Sequence, residues 1–205
     1  RGLRYCGGTH LFYPPGYPVA IALLYLFCRD AEFAAHGVSL LAYLSTIMLT
    51  ASLAWRLRRS PMFILAATAG VTLHPYNLLY ASYALSEALF AAAVLASALC
   101  AWRLATEKHP PLRLWAAWGV LGGYAYLIRA DGILYFPLQA VFVGWLRWRD
   151  GRARYWKFGF SGILFFAVMF PYLLLIKQET GAWQLSTKTP ILLEFARGKM
   201  LDSSA

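Results

Sequence analysis

The stretch FAAHGVSLLAYLSTIMLTASLAW, residues 33–55, carries no charged side chain and stops at Arg56, Arg58 and Arg59. A helix needs about 20 mostly apolar residues to cross a bilayer, and this run supplies them. Working outward, further uncharged or nearly uncharged runs extend from Pro61 to about Tyr76, from about Ala84 to Trp102, from Leu114 to Ile128, from Gly132 to Leu146 and from Phe158 to Ile176. The sequence therefore predicts an all-α, polytopic membrane bundle of about six transmembrane helices. Composition agrees: 60% of residues are hydrophobic, 17% aromatic and only 14% charged. Soluble domains are about a quarter charged, so this chain lacks the polar residues to clothe a water-soluble surface. A soluble enzyme, a disordered tail and a nucleic-acid-binding domain are all argued against, despite a net charge of +10.

The basic residues set an orientation. Segments 56–59, 103–113 and 147–157 hold eleven of the nineteen Lys and Arg, whereas the turns at 75–86 and 129–131 hold only Arg129. Basic loops stay cytoplasmic, which puts 75–87, 129–131 and everything after Lys177 on the outer side. Pro18 to Cys28 is apolar too, but as a helix it reaches only about 17 Å, too short to cross. If it crossed, the next span would run the wrong way for its Arg cluster. It reads as a short interfacial or re-entrant helix on the outer face, opened by the rigid Tyr13-Pro14-Pro15-Gly16-Tyr17-Pro18. The organisation expected is an outer-loop end with that helix over 1–32, a six-span domain over 33–176, and the start of another outer segment over 177–205. Arg1 in place of Met, with no signal peptide before the first apolar run, suggests that the chain begins partway into a longer protein.

Ionisable residues inside a membrane are costly and functional by default. Glu87 lies about a turn into its span in Ala84-Leu85-Ser86-Glu87-Ala88-Leu89-Phe90, with no basic residue near in sequence. It either lines a polar cavity, or it snorkels to the interface or caps its helix through Ser86. Arg129 and Asp131 occupy a tight outer turn between two short runs. There Arg129 either grips a lipid phosphate bidentately or is neutralised by Asp131. His74, beside Pro75, reads first as a helix-end residue, and His10 and His36 have no partner spacing. Gly119 and Gly123 form a GxxxG, which means close helix packing. Trp102, Trp115, Trp118, Trp145, Trp148 and Trp156 fall at span ends, as an interfacial belt would. Cys6, Cys28 and Cys100 have no metal or redox spacing, and no Walker loop, Rossmann fingerprint, HExxH or Ser-centred elbow is present.

In order, Tyr-Pro-Pro-Gly-Tyr-Pro with a short apolar helix, a long span ending in an Arg cluster, Ser86-Glu87-Ala88-Leu89-Phe90 and Leu127-Ile128-Arg129-Ala130-Asp131-Gly132 resemble the GT-C glycosyltransferases. The resemblance covers residues 10–176 and is closest to the branch holding protein O-mannosyltransferases and lipid A aminoarabinose transferases. It implies a membrane enzyme that moves a sugar from a polyprenyl-phosphate-linked donor to a lipid, glycan or protein acceptor on the outer face. The branch resembled also points to the bacterial inner membrane. By position, Glu87 matches the family's second acid, and Arg129 matches an arginine that faces the donor phosphate. Asp131, His74 and Tyr13 are added as candidates to line the same cavity. No nucleotide is required, and the one cofactor left open is a divalent metal. The family's first acid, upstream of the prolines, has no counterpart here. Truncation explains that departure, and the chain as it stands is expected to be inactive. The competing readings are a transporter or flippase for a lipid-linked or anionic solute, with breaks near Pro75 and Glu87 and Arg129 on the path, and a structural membrane subunit with no site.

Overall fold

Asp30 starts the longest helix. Its carboxylate accepts from the backbone N–H groups of Glu32 at 2.9 Å and Phe33 at 3.0 Å, which an N-cap aspartate does for the orphan donors of a first turn. In the computed structural model, which describes residues 4–5, 8–9, 14–149 and 155–185, this helix, α2, spans Ala31–Leu57. Before it, β1 (Arg4–Tyr5) pairs with β2 (Gly8–Thr9), and α1 spans Gly16–Cys28. After it come α3 (Pro61–Thr72), α4 (Pro75–Ser82), α5 (Ser86–Thr106) and α6 (Leu112–Ile128). A 3-10 turn over Ala130–Leu134, α7 (Tyr135–Arg149) and α8 (Tyr155–Thr180) complete the bundle. The protein is all-helical in its architecture.

Each uncharged run of the sequence coincides with a helix, with one difference. The run from Pro61 to Tyr76 is broken at Leu73-His74, and its halves α3 and α4 are bent by 54°. Pro75 has no N–H to donate back to α3, but its fixed φ suits a first helical position, so the chain stops and restarts. The helices α2, α5 and α8 are each long and apolar enough to cross a membrane, and α3 with α4 makes a fourth if counted as one span. At 17 and 15 residues, α6 and α7 fall below that length. Three to four candidate spans is therefore what length and apolarity support, against the six expected. These helices are compatible with an integral membrane protein. At 13 residues, α1 is short, as its sequence requires, and it packs on α2 and α6.

The core lies between α6 and α8. A Cβ added at Gly119 would run into the backbone carbonyl of Ser161, and one at Gly123 would sit 2.8 Å from the carbonyl oxygen of Phe165. The GxxxG therefore does bring two backbones together. The tryptophans correct the belt reading. Trp145, Trp148 and Trp156 are exposed, but Trp115 and Trp118 are 0% exposed. They stack into a cluster with Phe136 and Phe158 because the same face of α6 is covered by α7 and α8. Trp118 reaches a polar partner even there, its Nε1 donating to Gln139 Oε1 at 2.8 Å, while Gln139 Nε2 donates to Ser97 Oγ at 3.0 Å. Such pairing offsets the cost of burying amide and indole groups.

Bundle geometry separates two ends, about 24 Å apart along α5 from Glu87 to Arg103. At the basic end, Arg147 Nη1 donates to the carbonyls of Leu104 and Glu107, joining α7 to the end of α5. Arg56 and Arg59 line one groove with Trp102 and Thr106, so the three basic segments converge. At the opposite end, Tyr124 donates to the Gly16 carbonyl at 3.3 Å, and Tyr126 donates to the carbonyl of Leu185 at 2.7 Å. This end holds α1, the start of α5 and the turn after α6.

Candidate functional site

Arg129 terminates α6. Its backbone is extended (φ −147°, ψ 134°) while its N–H still donates to the Ala125 carbonyl at 3.0 Å. The chain then folds back, Gly132 N–H donating to the Arg129 carbonyl at 2.8 Å. Only glycine fits at 132, because a Cβ there would collide with the backbone of Ala125 and Tyr126. Gly16 is under the same constraint, with Leu127 backbone atoms 2.6 Å from where its Cβ would stand. These two close approaches lock α1, α6 and the 3-10 turn into one block around Arg129.

From that block the guanidinium reaches across to α5. Arg129 Nη1 donates to Glu87 Oε1 at 2.6 Å, and Nη2 donates to Asp131 Oδ2 at 3.3 Å. The guanidinium carbon lies 5.7 Å from the centre of the Phe90 ring, one turn beyond Glu87. Glu87 stands in the first turn of α5, where the helix dipole favours a negative charge. Ser86 does not cap the helix: the N-cap is Leu85, without a side-chain bond, and Ser86 Oγ lies 3.5 Å from the other Glu87 oxygen. The Arg129 and Glu87 side chains are 33% and 31% exposed, and that of Asp131 is 69% exposed. Two carboxylates on one guanidinium give the cluster a formal charge of −1.

Behind the cluster, the Tyr17 hydroxyl of α1 lies 3.1 Å from Ser39 Oγ and donates to the Ala35 carbonyl at 3.4 Å. Ser39 Oγ in turn donates to the carbonyl of Leu85 at 3.4 Å. Burial pushes the Tyr17 pKa above its ordinary 10.0, the Ser39 bond pulls it down, and the Glu87 charge adds to the rise. Tyr17 is thus a neutral hydroxyl tying α1 to α2 beside the acid.

The structure brings Glu87, Arg129 and Asp131 together, although Glu87 and Arg129 are 42 positions apart. His74 is exposed at the N-cap of α4, its ring 5.9 Å from that of Tyr76, and no hydrogen bond or ion pair joins it to the cluster among the described residues. Tyr13 lies outside the described residues. Tyr17, Ser39 and Phe90 were not singled out from the sequence. Tyr17 and Phe90 had a signal, standing inside the Tyr-Pro-Pro-Gly-Tyr-Pro and Ser-Glu-Ala-Leu-Phe motifs; Ser39 had none. Among the described residues no three His, Cys, Asp or Glu side chains gather as metal ligands. A divalent cation approaching the cluster would meet Glu87 and Asp131, both already engaged by Arg129.

Chemically, the cluster offers a rigidly mounted, partly exposed guanidinium whose two partners can be exchanged for a phosphate, and an acid able to accept a proton once released. Comparison with known protein families, with curated proteins and with solved structures finds no match for this chain.

Proposed function

We propose that the chain is part of an integral-membrane glycosyltransferase of the GT-C type, using a polyprenyl-phosphate-linked sugar and working on the outer face of a bacterial inner membrane. The observation that carries this reading is the Arg129–Glu87 pair, 2.6 Å apart at the end of the bundle away from the basic loops. In this reading all six runs cross: α6 is about 26 Å long, and the 3-10 turn with α7 adds to about 32 Å, so both reach across a thin or locally thinned hydrocarbon layer. The basic end is then cytoplasmic by the positive-inside rule.

The chemistry follows from the charges. An acceptor hydroxyl attacks the sugar's anomeric carbon, the bond from that carbon to the phosphate oxygen breaks, and polyprenyl phosphate leaves with the electron pair. Negative charge grows on the leaving group, and the fixed guanidinium of Arg129 stabilises it. A donor phosphate taking the place of one carboxylate on Arg129 frees Glu87 to accept the acceptor's proton or to organise a divalent metal. The partners are the lipid-linked donor, a lipid, glycan or protein acceptor, and the surrounding lipids.

Sugar transfer from a polyprenyl-phosphate donor, assayed with the full-length protein, tests the reading. Arg129→Ala should weaken donor use, and Arg129→Lys should recover only part because an ammonium lacks the planar fork. Glu87→Gln should lower turnover more than donor binding. Wild-type rates in both Arg129→Ala and Glu87→Gln would remove the assignment. A second reading, a transporter or flippase for a lipid-linked or anionic solute, is favoured by the break between α3 and α4. Solute movement without any sugar donor would decide for it.

A further inference from the structure

At the basic end, α2, the link after it, α3 and α5 enclose a groove of about 670 Å³. Arg56 and Arg59 supply its charge, Trp55 and Trp102 its aromatic walls, and Thr106 a hydroxyl. Both arginines are exposed, and neither guanidinium has an acidic partner among the described residues. That contrasts with Arg103 and Arg129, each held by a carboxylate. Trp102 also lines a second groove, of about 320 Å³. That groove is further lined by Leu53, Leu57, Ala98, Leu138 and Phe142, with Gln139 its polar member. A charged, aromatic-walled groove at the end of an apolar bundle thus shares its Trp102 wall with an apolar one.

We infer that this pair of grooves binds an anionic phospholipid, its phosphodiester between Arg56 and Arg59 and an acyl chain along Leu53, Leu57, Leu138 and Phe142. Charge complementarity selects the occupant. Two guanidiniums without an acidic partner among the described residues offer bidentate forks to phosphate oxygens, and basic pockets between membrane helices take anionic head groups. Tryptophan at the head-group level suits the same boundary. A soluble phosphate would use the arginines but leave the apolar groove empty; a zwitterionic lipid would bring a cationic group to two cations. The inference does not depend on the chemistry at the Glu87 end.

The test is native mass spectrometry of the detergent-purified full chain, titrated with phosphatidylglycerol, with phosphatidylcholine, or with glycerophosphoglycerol, the head group without its chains. Wild type should retain phosphatidylglycerol in preference to both other probes. Arg59→Gln should cost about fivefold in retention and the Arg56→Gln/Arg59→Gln pair about thirtyfold. Arg58→Gln, whose side chain does not line the groove, should retain the lipid as wild type does. Arg59 lies in the link after α2, outside both neighbouring helices, so the single variant gives a reading even if the double variant fails to fold. Equal retention of phosphatidylcholine, undiminished binding in Arg59→Gln, or an equal loss in Arg58→Gln would overturn the site. Equal binding of the chain-free head group would overturn the lipid as its occupant.

Discussion

Arg129 and Arg147 are the same side chain at opposite ends of the bundle, and they are held in opposite ways. Arg147 is 4% exposed and donates to neutral carbonyls at the end of α5. Arg129 is a third exposed and donates to two carboxylates. A buried guanidinium over helix-end carbonyls satisfies acceptors that would otherwise be orphaned, so it acts as a clamp. A partly exposed guanidinium on carboxylates sits in a pair worth at most about 1 kcal/mol, which an incoming anion can replace. Arg56 and Arg59 are a third case, without acidic partners among the described residues. The difference teaches that the role open to each cation follows from the partner that holds it rather than from its charge alone.

The largest expected effect concerns which end faces which compartment. In a chain whose Cys6, Cys28 and Cys100 are replaced by serine, Lys108→Cys should resist an impermeant thiol reagent in intact cells, while Ala84→Cys should react. Both positions are exposed, at opposite ends of α5. The reverse pattern would invert the bundle and move the Glu87 end to the cytoplasm.

Next in size is the clamp itself. Arg147→Met keeps much of the bulk but strands the Leu104 and Glu107 carbonyls, so it should cost about 3 kcal/mol on thermal unfolding in detergent. Arg129→Met should cost no more than about 1 kcal/mol, while removing any donor-dependent activity. Equal losses in the two would erase the distinction between clamp and exchangeable pair.

Much of this was legible in the sequence, and the rest was hidden for identifiable reasons. Uncharged runs located α2, α5, α6, α7 and α8, because a helix confined to an apolar layer must end where charge begins. The length of Gly16–Cys28 and the GxxxG at Gly119 and Gly123 were readable for the same kind of local reason. The restart at Pro75 was not: the same proline that ends one helix can open another, and the outcome depends on what packs beyond it. Glu87 and Arg129 stood out as ions in apolar sequence, but the 2.6 Å pair required knowing that α5 and α6 meet at that end. Arg147 was counted with a basic loop. Its register with Phe136 and Val143, eleven and four residues earlier on the buried face of α7, held the signal that it points inward.

The α6–α8 seam joins the two ends and ranks third. Gly119→Ala places a methyl group against the Ser161 backbone, where nothing flexible can yield. Overpacking of this kind costs about 1–3 kcal/mol, and thermal unfolding should fall accordingly. Gly162, with open space around its Cβ position, is the control: Gly162→Ala should leave stability unchanged or raise it, since alanine is the better helix former. A loss at 162 matching that at 119 would mean that the seam does not couple the ends.

The smallest effect tests whether α1 belongs to the Glu87 end at all. The Tyr17 hydroxyl links α1 to Ser39 and Ala35 of α2, so Tyr17→Phe should cost about 1 kcal/mol, the net worth of a partly buried hydrogen bond. The sign of its pH dependence is fixed by the raised pKa. Burial makes the folded protein hold the phenolic proton more tightly than the unfolded chain does. Below the unfolded value of 10.0 both states are protonated and the contribution is complete. As pH rises past that value the unfolded state releases its proton first, and stability falls until the folded hydroxyl ionises too. Hydrogen exchange along 16–28 should therefore be flat up to about pH 9, after correction for the intrinsic rate, and rise above about pH 10 in wild type. In Tyr17→Phe it should be faster throughout and lack the alkaline step. An alkaline step that survives the substitution would place the titrating group elsewhere, first at the Tyr124 hydroxyl that donates to the Gly16 carbonyl.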